Sequence, residues 1–160
     1  MDPVAAARAL VEEMFPGALY AFVGGSVLTE RRTSTSDLDI VVVLDGLDRP
    51  YREALRWHGW PVELFAHSET SLAAYIERGF ESRQPTLARI CAEGAVLTDR
   101  TGGRASDLQS VLGERVSAGP GGQKPATCSP TCSTTWPGRA IPASWRSSAG
   151  RSCRPPPGRR

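Results

Sequence analysis

The order of apolar patterns along the chain predicts an α/β (α+β) fold: one small mixed β-sheet of about four strands flanked by helices, with a disordered C-terminal tail. Three observations carry this expectation. Segments with apolar residues at three- and four-residue spacing alternate with short β-branched runs, the pattern of helices packed on a sheet. One of those runs, Ile40-Val41-Val42-Val43-Leu44, is apolar throughout, as a central strand buried on both faces must be. From Ser117 to Arg160 there is no Leu, Val, Phe, Tyr, Asp or Glu, and Ile141 is the only aliphatic side chain larger than alanine. No conventional core can be built from that, so the 160 residues divide into a folding unit over 1–116 and a Pro/Gly/Ser/Arg-rich tail over 117–160.

The elements follow in order. Pro3 in a first turn, then Val4, Ala7, Leu10, Val11 and Met14, give an amphipathic helix that Pro16-Gly17 stops. Ala18 to Val23 is a strand that ends in the turn Gly24-Gly25-Ser26. Val27 to Arg32 make a short helical turn before the polar stretch Thr33-Ser34-Thr35-Ser36. Asp37 to Leu44 is the central strand, and Asp45 to Arg49 a loop. Pro50 opens a helix to about His58, with Gly59 as its stop, and Pro61 to Ala66 is a third strand. Ser68 to Phe80 and Pro85 to Ala92 are helical by period, Gly94 caps the second of them, and Ala95 to Thr98 is a fourth strand. A last helix spans Arg104 to Val116, with Leu108, Val111 and Leu112 on one face.

Charge splits at the same boundary. Of 19 basic residues seven lie in the tail, while all 17 acidic residues precede it, leaving −5 on the first 118 residues and +7 on the rest. An acidic domain does not bind duplex nucleic acid by itself, because neutralising phosphates requires clustered Lys and Arg. No apolar run approaches the ~20 residues of a membrane span, and an N-terminus with Asp2 and no basic region is not a signal peptide. The expected compartment is the cytoplasm. Cys91, alone in the folding unit, suits a reducing environment. Cys128, Cys132 and Cys153 lie in the tail with no His or acid beside them to complete a metal site.

Asp37 and Asp39 are one residue apart on a strand, so both side chains point to one face. Two acids held side by side repel unless something positive sits between them. A divalent ion meets that need, and magnesium favours few protein carboxylates completed by water and phosphate oxygens. Glu63, flanked by Val62 and Leu64 on the opposite face of its own strand, offers a third carboxylate for a two-metal phosphoryl-transfer site. Gly24-Gly25-Ser26, between a strand and a helical turn, lets backbone amides approach phosphate oxygens, with the Ser26 hydroxyl adding a donor.

Gly24-Gly25-Ser26, ten residues, Asp37-Leu38-Asp39-Ile40, and a later strand carrying Glu63 together resemble the DNA polymerase β-like nucleotidyltransferases. The resemblance covers roughly residues 17–100. Its small size is similar to that of bacterial proteins related to aminoglycoside nucleotidyltransferases and to the minimal nucleotidyltransferases of toxin–antitoxin pairs. The resemblance implies magnesium-dependent transfer of a nucleoside monophosphate from an NTP, expected to be ATP, to a hydroxyl of a small molecule or protein, with release of pyrophosphate. It implies that Asp37 and Asp39 hold Mg2+ and that Gly24, Gly25 and Ser26 bind the phosphates. Glu63 would serve the second metal or take the attacking hydroxyl's proton.

Two other functions are compatible with the chain. A catalytically degenerate binding module, such as an antitoxin-like partner protein, would tolerate loss of Asp37 or Asp39. A nucleic-acid binder acting through the +7 tail would bind without sequence preference and with steep salt dependence. The tail also has a different reading. The folding unit uses Arg twelve times and Lys never, as a GC-rich gene does. Shifting by one base the GC-rich codons assigned to Gly122 through Ala149 yields an acidic, leucine-bearing helix, so the tail reads as a frameshift product that replaced a helical segment. Among the remaining residues, Arg31 and Arg32 read as a solvated loop, with phosphate contact as the alternative. His58 and His67 are surface or structural. Trp57 and Trp60 flank a helix end and pack on the sheet. Tyr75, Ile76 and Phe80 form a core stripe.

Overall fold

The computed structural model describes residues 2–29 and 36–119. Arg31, Arg32, the stretch Thr33–Thr35 and the tail from residue 120, with its three cysteines and its proposed change of frame, lie outside the described residues.

Helix α1 (Pro3–Met14) starts where the Asp2 carboxylate accepts the Ala5 N–H at 3.0 Å, with Pro3 in the first turn. It is followed by β1 (Ala18–Gly24), a 3₁₀ turn (Ser26–Leu28), β2 (Leu38–Leu44), β3 (Tyr51–Trp57), β4 (Trp60–His67), α2 (Glu69–Glu81), α3 (Thr86–Glu93), β5 (Ala95–Asp99) and α4 (Arg104–Ser117). The strands form one mixed sheet in the order β3-β4-β2-β1-β5. β2 and β4 run parallel, and every other neighbouring pair is antiparallel.

Helices cover both faces of this sheet. Ala6, Ala7, Leu10 and Val11 of α1 pack with Ala21, Val23, Leu38, Ile40, Val42, Val62 and Leu64 on one side. The alternate residues Phe22, Val41 and Val43 point to the other side, where α2, α3 and α4 bury Leu72, Ile76, Ile90, Cys91 and Leu112. β2 is the middle strand, which is the reason its run is apolar at consecutive positions.

The segment 50–58 is a strand and not the expected helix, and it supplies the fifth strand of the sheet. Tyr51 and Leu55 have helical spacing, but Tyr51, Glu53, Leu55 and Trp57 also alternate with polar or small residues. The deciding feature is the two-residue turn His58-Gly59, with φ of 45° and 87°. Positive φ at both positions gives a hairpin turn whose twist matches that of paired strands, and histidine tolerates it better than most side chains. β3 is an edge strand exposed along its first four residues, while Leu55 and Trp57 lean on the core. Trp57 and Trp60 therefore pair across the hairpin turn and do not flank a helix end. Of the expected core stripe on α2, Ile76 is buried. Tyr75 is 42% exposed against the His67 ring, and Phe80 is half-buried under the Arg115 guanidinium, 4.1 Å away.

α4 is capped by a residue outside its own first turn. The Asp99 carboxylate, at the end of β5, accepts the N–H of Thr101 at 2.8 Å and those of Gly103 and Ala105 at 3.1 Å, together with the Thr101 hydroxyl at 2.5 Å. Burial pushes this carboxyl up, and those bonds outweigh it and hold it below its usual value. A folded value below the unfolded one contributes stability that is present above the ordinary carboxylate range and lost on acidification. Asp99→Ala is expected to cost about 1–2 kcal/mol at pH 7. Urea melts of the variant and the parent should converge as the pH falls toward 3; an undiminished gap would mean that the carboxylate acts by packing alone.

Candidate active site

The parallel register of β2 and β4 sets Asp39 directly beside Glu63. Asp37, immediately before β2, shares the face of Asp39. One oxygen from each of Asp37, Asp39 and Glu63 lies within 4.8 Å of the others, with Asp37 exposed and the other two half-buried. Burial first, then Asp37 and Glu63, push the Asp39 carboxyl up to about 6, while Arg52 pulls it down. Negative charge thus exceeds the positive charge available to it, which is the electrostatic condition for holding a cation.

On the other side of β2, Gly24 pairs with Asp39. Gly25 follows with φ +93°, and a Cβ there would lie 2.4 Å from Asp39 Oδ2. Glycine is required both by the backbone torsion and by the carboxylate pressed against it. Ser26 opens the 3₁₀ turn, and its hydroxyl donates to Ser36 Oγ at 3.1 Å. That bond ties the start of the excursion after β1 to its return just before Asp37. The structure therefore gathers Gly24, Gly25, Ser26, Asp37, Asp39 and Glu63 around one end of the central strands.

The sequence reading missed Arg52. On β3 it stands two residues before Ala54, which lies opposite Glu63, and so on the same face of the sheet, and its Nε donates to Glu63 Oε1 at 2.6 Å, with Nη2 on the same oxygen. Strand alternation would have revealed this, and reading 50–58 as a helix hid it. His67 is buried with Nδ1 3.2 Å from Ser71 Oγ, and burial pushes its pKa down. Cys91 is buried, and burial pushes its thiol up to about 12, which makes it inert. Neither belongs to the acidic cluster. No helix among the described residues is long and apolar enough to cross a membrane.

The five-stranded mixed sheet between helices is a nucleotidyltransferase-like fold, and the three carboxylates lie at one end of its central strands. The fold is similar to that of a nucleotidyltransferase-like protein from Exiguobacterium sibiricum 255-15, whose crystal structure superposes with a TM-score of 0.52 at 18% identity. The match covers 68% of this chain and 38% of that one, so this chain spans well under half the length of its neighbour. At that identity the likeness is one of fold. No family model and no curated protein matches the sequence.

Proposed function

We propose that the chain is a metal-dependent nucleotidyltransferase of the DNA polymerase β-like kind, moving a nucleoside monophosphate from ATP to a hydroxyl acceptor on a small molecule or protein. The observation that carries this reading is the convergence of Asp37, Asp39 and Glu63 beside the Gly25 backbone in a nucleotidyltransferase-like fold. Three carboxylates within 4.8 Å form a hard-oxygen donor set that fits Mg2+. Bound there, the metal would neutralise charge on the transferring phosphoryl group.

Each side chain then has a task. Asp37 and Asp39 hold the metal, and Glu63 completes the set or takes the acceptor's proton. The amides at Gly24 and Gly25 and the Ser26 hydroxyl hold the β- and γ-phosphates. The acceptor oxygen bonds to the α-phosphorus, the bond from that phosphorus to the bridging oxygen breaks, and pyrophosphate leaves. ATP as donor agrees with a cytoplasmic site of action.

Calorimetric titration of ATP into the chain, with and without Mg2+ and beside an Asp37→Ala, Asp39→Ala double variant, tests the reading. Binding that requires Mg2+ and disappears in the double variant is expected. Binding indifferent to both changes, or none by a folded chain, would sink it and favour a non-catalytic module.

A further inference from the structure

Resting on that reading of the acidic cluster, we propose that Arg52 is a resident counter-cation that competes with the metal for Glu63. The guanidinium spends both of its contacts with Glu63 on one oxygen, Oε1. It sits on the outermost strand, and its side chain is 67% exposed against 23% for Glu63. The residues around it, Tyr51, Glu53 and Ala54, are also exposed. Its further contact is with the Phe65 ring, 5.4 Å from the centroid. An arginine so placed can leave at small cost, because solvated ion pairs are worth about 1 kcal/mol or less. The ion pairs Arg104–Glu69 and Arg115–Glu77 engage helix carboxylates outside the cluster. Arg52–Glu63 alone, among the described pairs, takes a carboxylate from the site itself.

The arrangement has two effects of opposite benefit. Without a divalent ion, Arg52 relieves part of the repulsion among Asp37, Asp39 and Glu63. Toward a free divalent ion it is a like charge already seated on one ligand, so it weakens binding of the metal alone. A metal arriving with a triphosphate brings its own anion and suffers less from the same guanidinium. Arg52 thereby couples metal loading to nucleotide.

Calorimetry with Mg2+ alone and with Mg·ATP, on the full chain and on Arg52→Ala, Arg52→Gln and Arg52→Lys variants, decides this. Arg52→Ala and Arg52→Gln are expected to bind Mg2+ alone about tenfold more tightly, while Arg52→Lys, which keeps the charge, stays within about threefold of the parent. The neutral variants should also melt at lower temperature without metal and gain more from added Mg2+. Unchanged or weaker binding of Mg2+ alone by both neutral variants overturns the competition and makes Arg52 a prop for Glu63. If the parent still binds Mg·ATP in that case, only this inference falls. If no form binds Mg2+ or Mg·ATP, the metal-site reading falls with it. Should Arg52→Ala fail to fold, Arg52→Gln and Arg52→Lys still give opposite outcomes.

Discussion

Asp39→Asn is expected to make the metal-free chain melt at higher temperature than the parent while removing Mg2+-dependent nucleotide binding. The Asp39 carboxyl is raised from its ordinary value of 3.8 to about 6, by burial first and then by Asp37 and Glu63. A folded value above the unfolded one means that the protonated form is favoured by folding. Its stabilising effect is full below about pH 4, declines as the pH rises toward 6 and is absent above that. At pH 7 the ionised carboxylate is therefore a net burden on the fold, and asparagine keeps the shape without the charge. Two pH units would correspond to about 3 kcal/mol. Solvent screening of a half-buried group reduces this to about 1 kcal/mol, or a melting temperature higher by about 4 °C. On the proposed reading function moves the other way, because a carboxylate that holds the metal would contribute several kcal/mol of charge stabilisation, on the order of a 10³-fold loss in turnover. Thermal melts at pH 7 with and without Mg2+ check both halves. The parent should gain stability from Mg2+ and the variant should not. A variant that melts below the parent in the absence of metal would show that Asp39 is a structural acceptor and that the cluster is not strained.

The parts of the site that follow from chemistry within one strand were legible in the sequence. An Asp-x-Asp at the mouth of an apolar strand declares two acids on one face, and Val62-Glu63-Leu64 declares an acid opposite two core residues. What brings Glu63 to Asp39 is the parallel register of β2 on β4, a long-range property set by core packing on both faces. The hairpin was illegible for a different reason. Tyr51 and Leu55 satisfy helical spacing, and the turn depends on a histidine adopting positive φ, which composition does not announce. That error cost Arg52, because a residue placed on a helix could not be set beside Glu63. Gly25 was expected in a phosphate-binding turn from its sequence context, whereas its closeness to Asp39 Oδ2 exists only once β1 and β2 are paired.

Gly94→Ala is expected to carry a large stability cost, because among the described glycines its added Cβ meets the closest backbone atoms. Its backbone is extended at φ −79°, ψ 176°, so torsion does not oppose a side chain. Space does: a Cβ would lie 2.3 Å from both Ile90 O and Val23 O and 3.0 Å from Val23 C, all of them backbone atoms. Gly94 therefore ends α3 by close approach and not by the left-handed turn that usually selects glycine there. The joint is also clamped from α4, where Gln109 Nε2 donates to Gly94 O at 2.7 Å and to Cys91 O at 3.1 Å. Neither backbone can yield without moving α3 off the sheet or displacing β1, so the substitution should cost about 3 kcal/mol or more. Gly113→Ala, inside α4 with nothing within 4 Å of its added methyl, is the matched control and should gain about 0.5–1 kcal/mol. Urea melts of the two variants separate helix propensity from crowding, and a Gly94→Ala chain as stable as its parent would mean that α3 is loosely seated. Val23 immediately precedes Gly24 and Gly25. A displaced β1 would move both glycines with it, so on the proposed reading weakened Mg·ATP binding should accompany the lost stability even though Gly94 lies outside the acidic cluster.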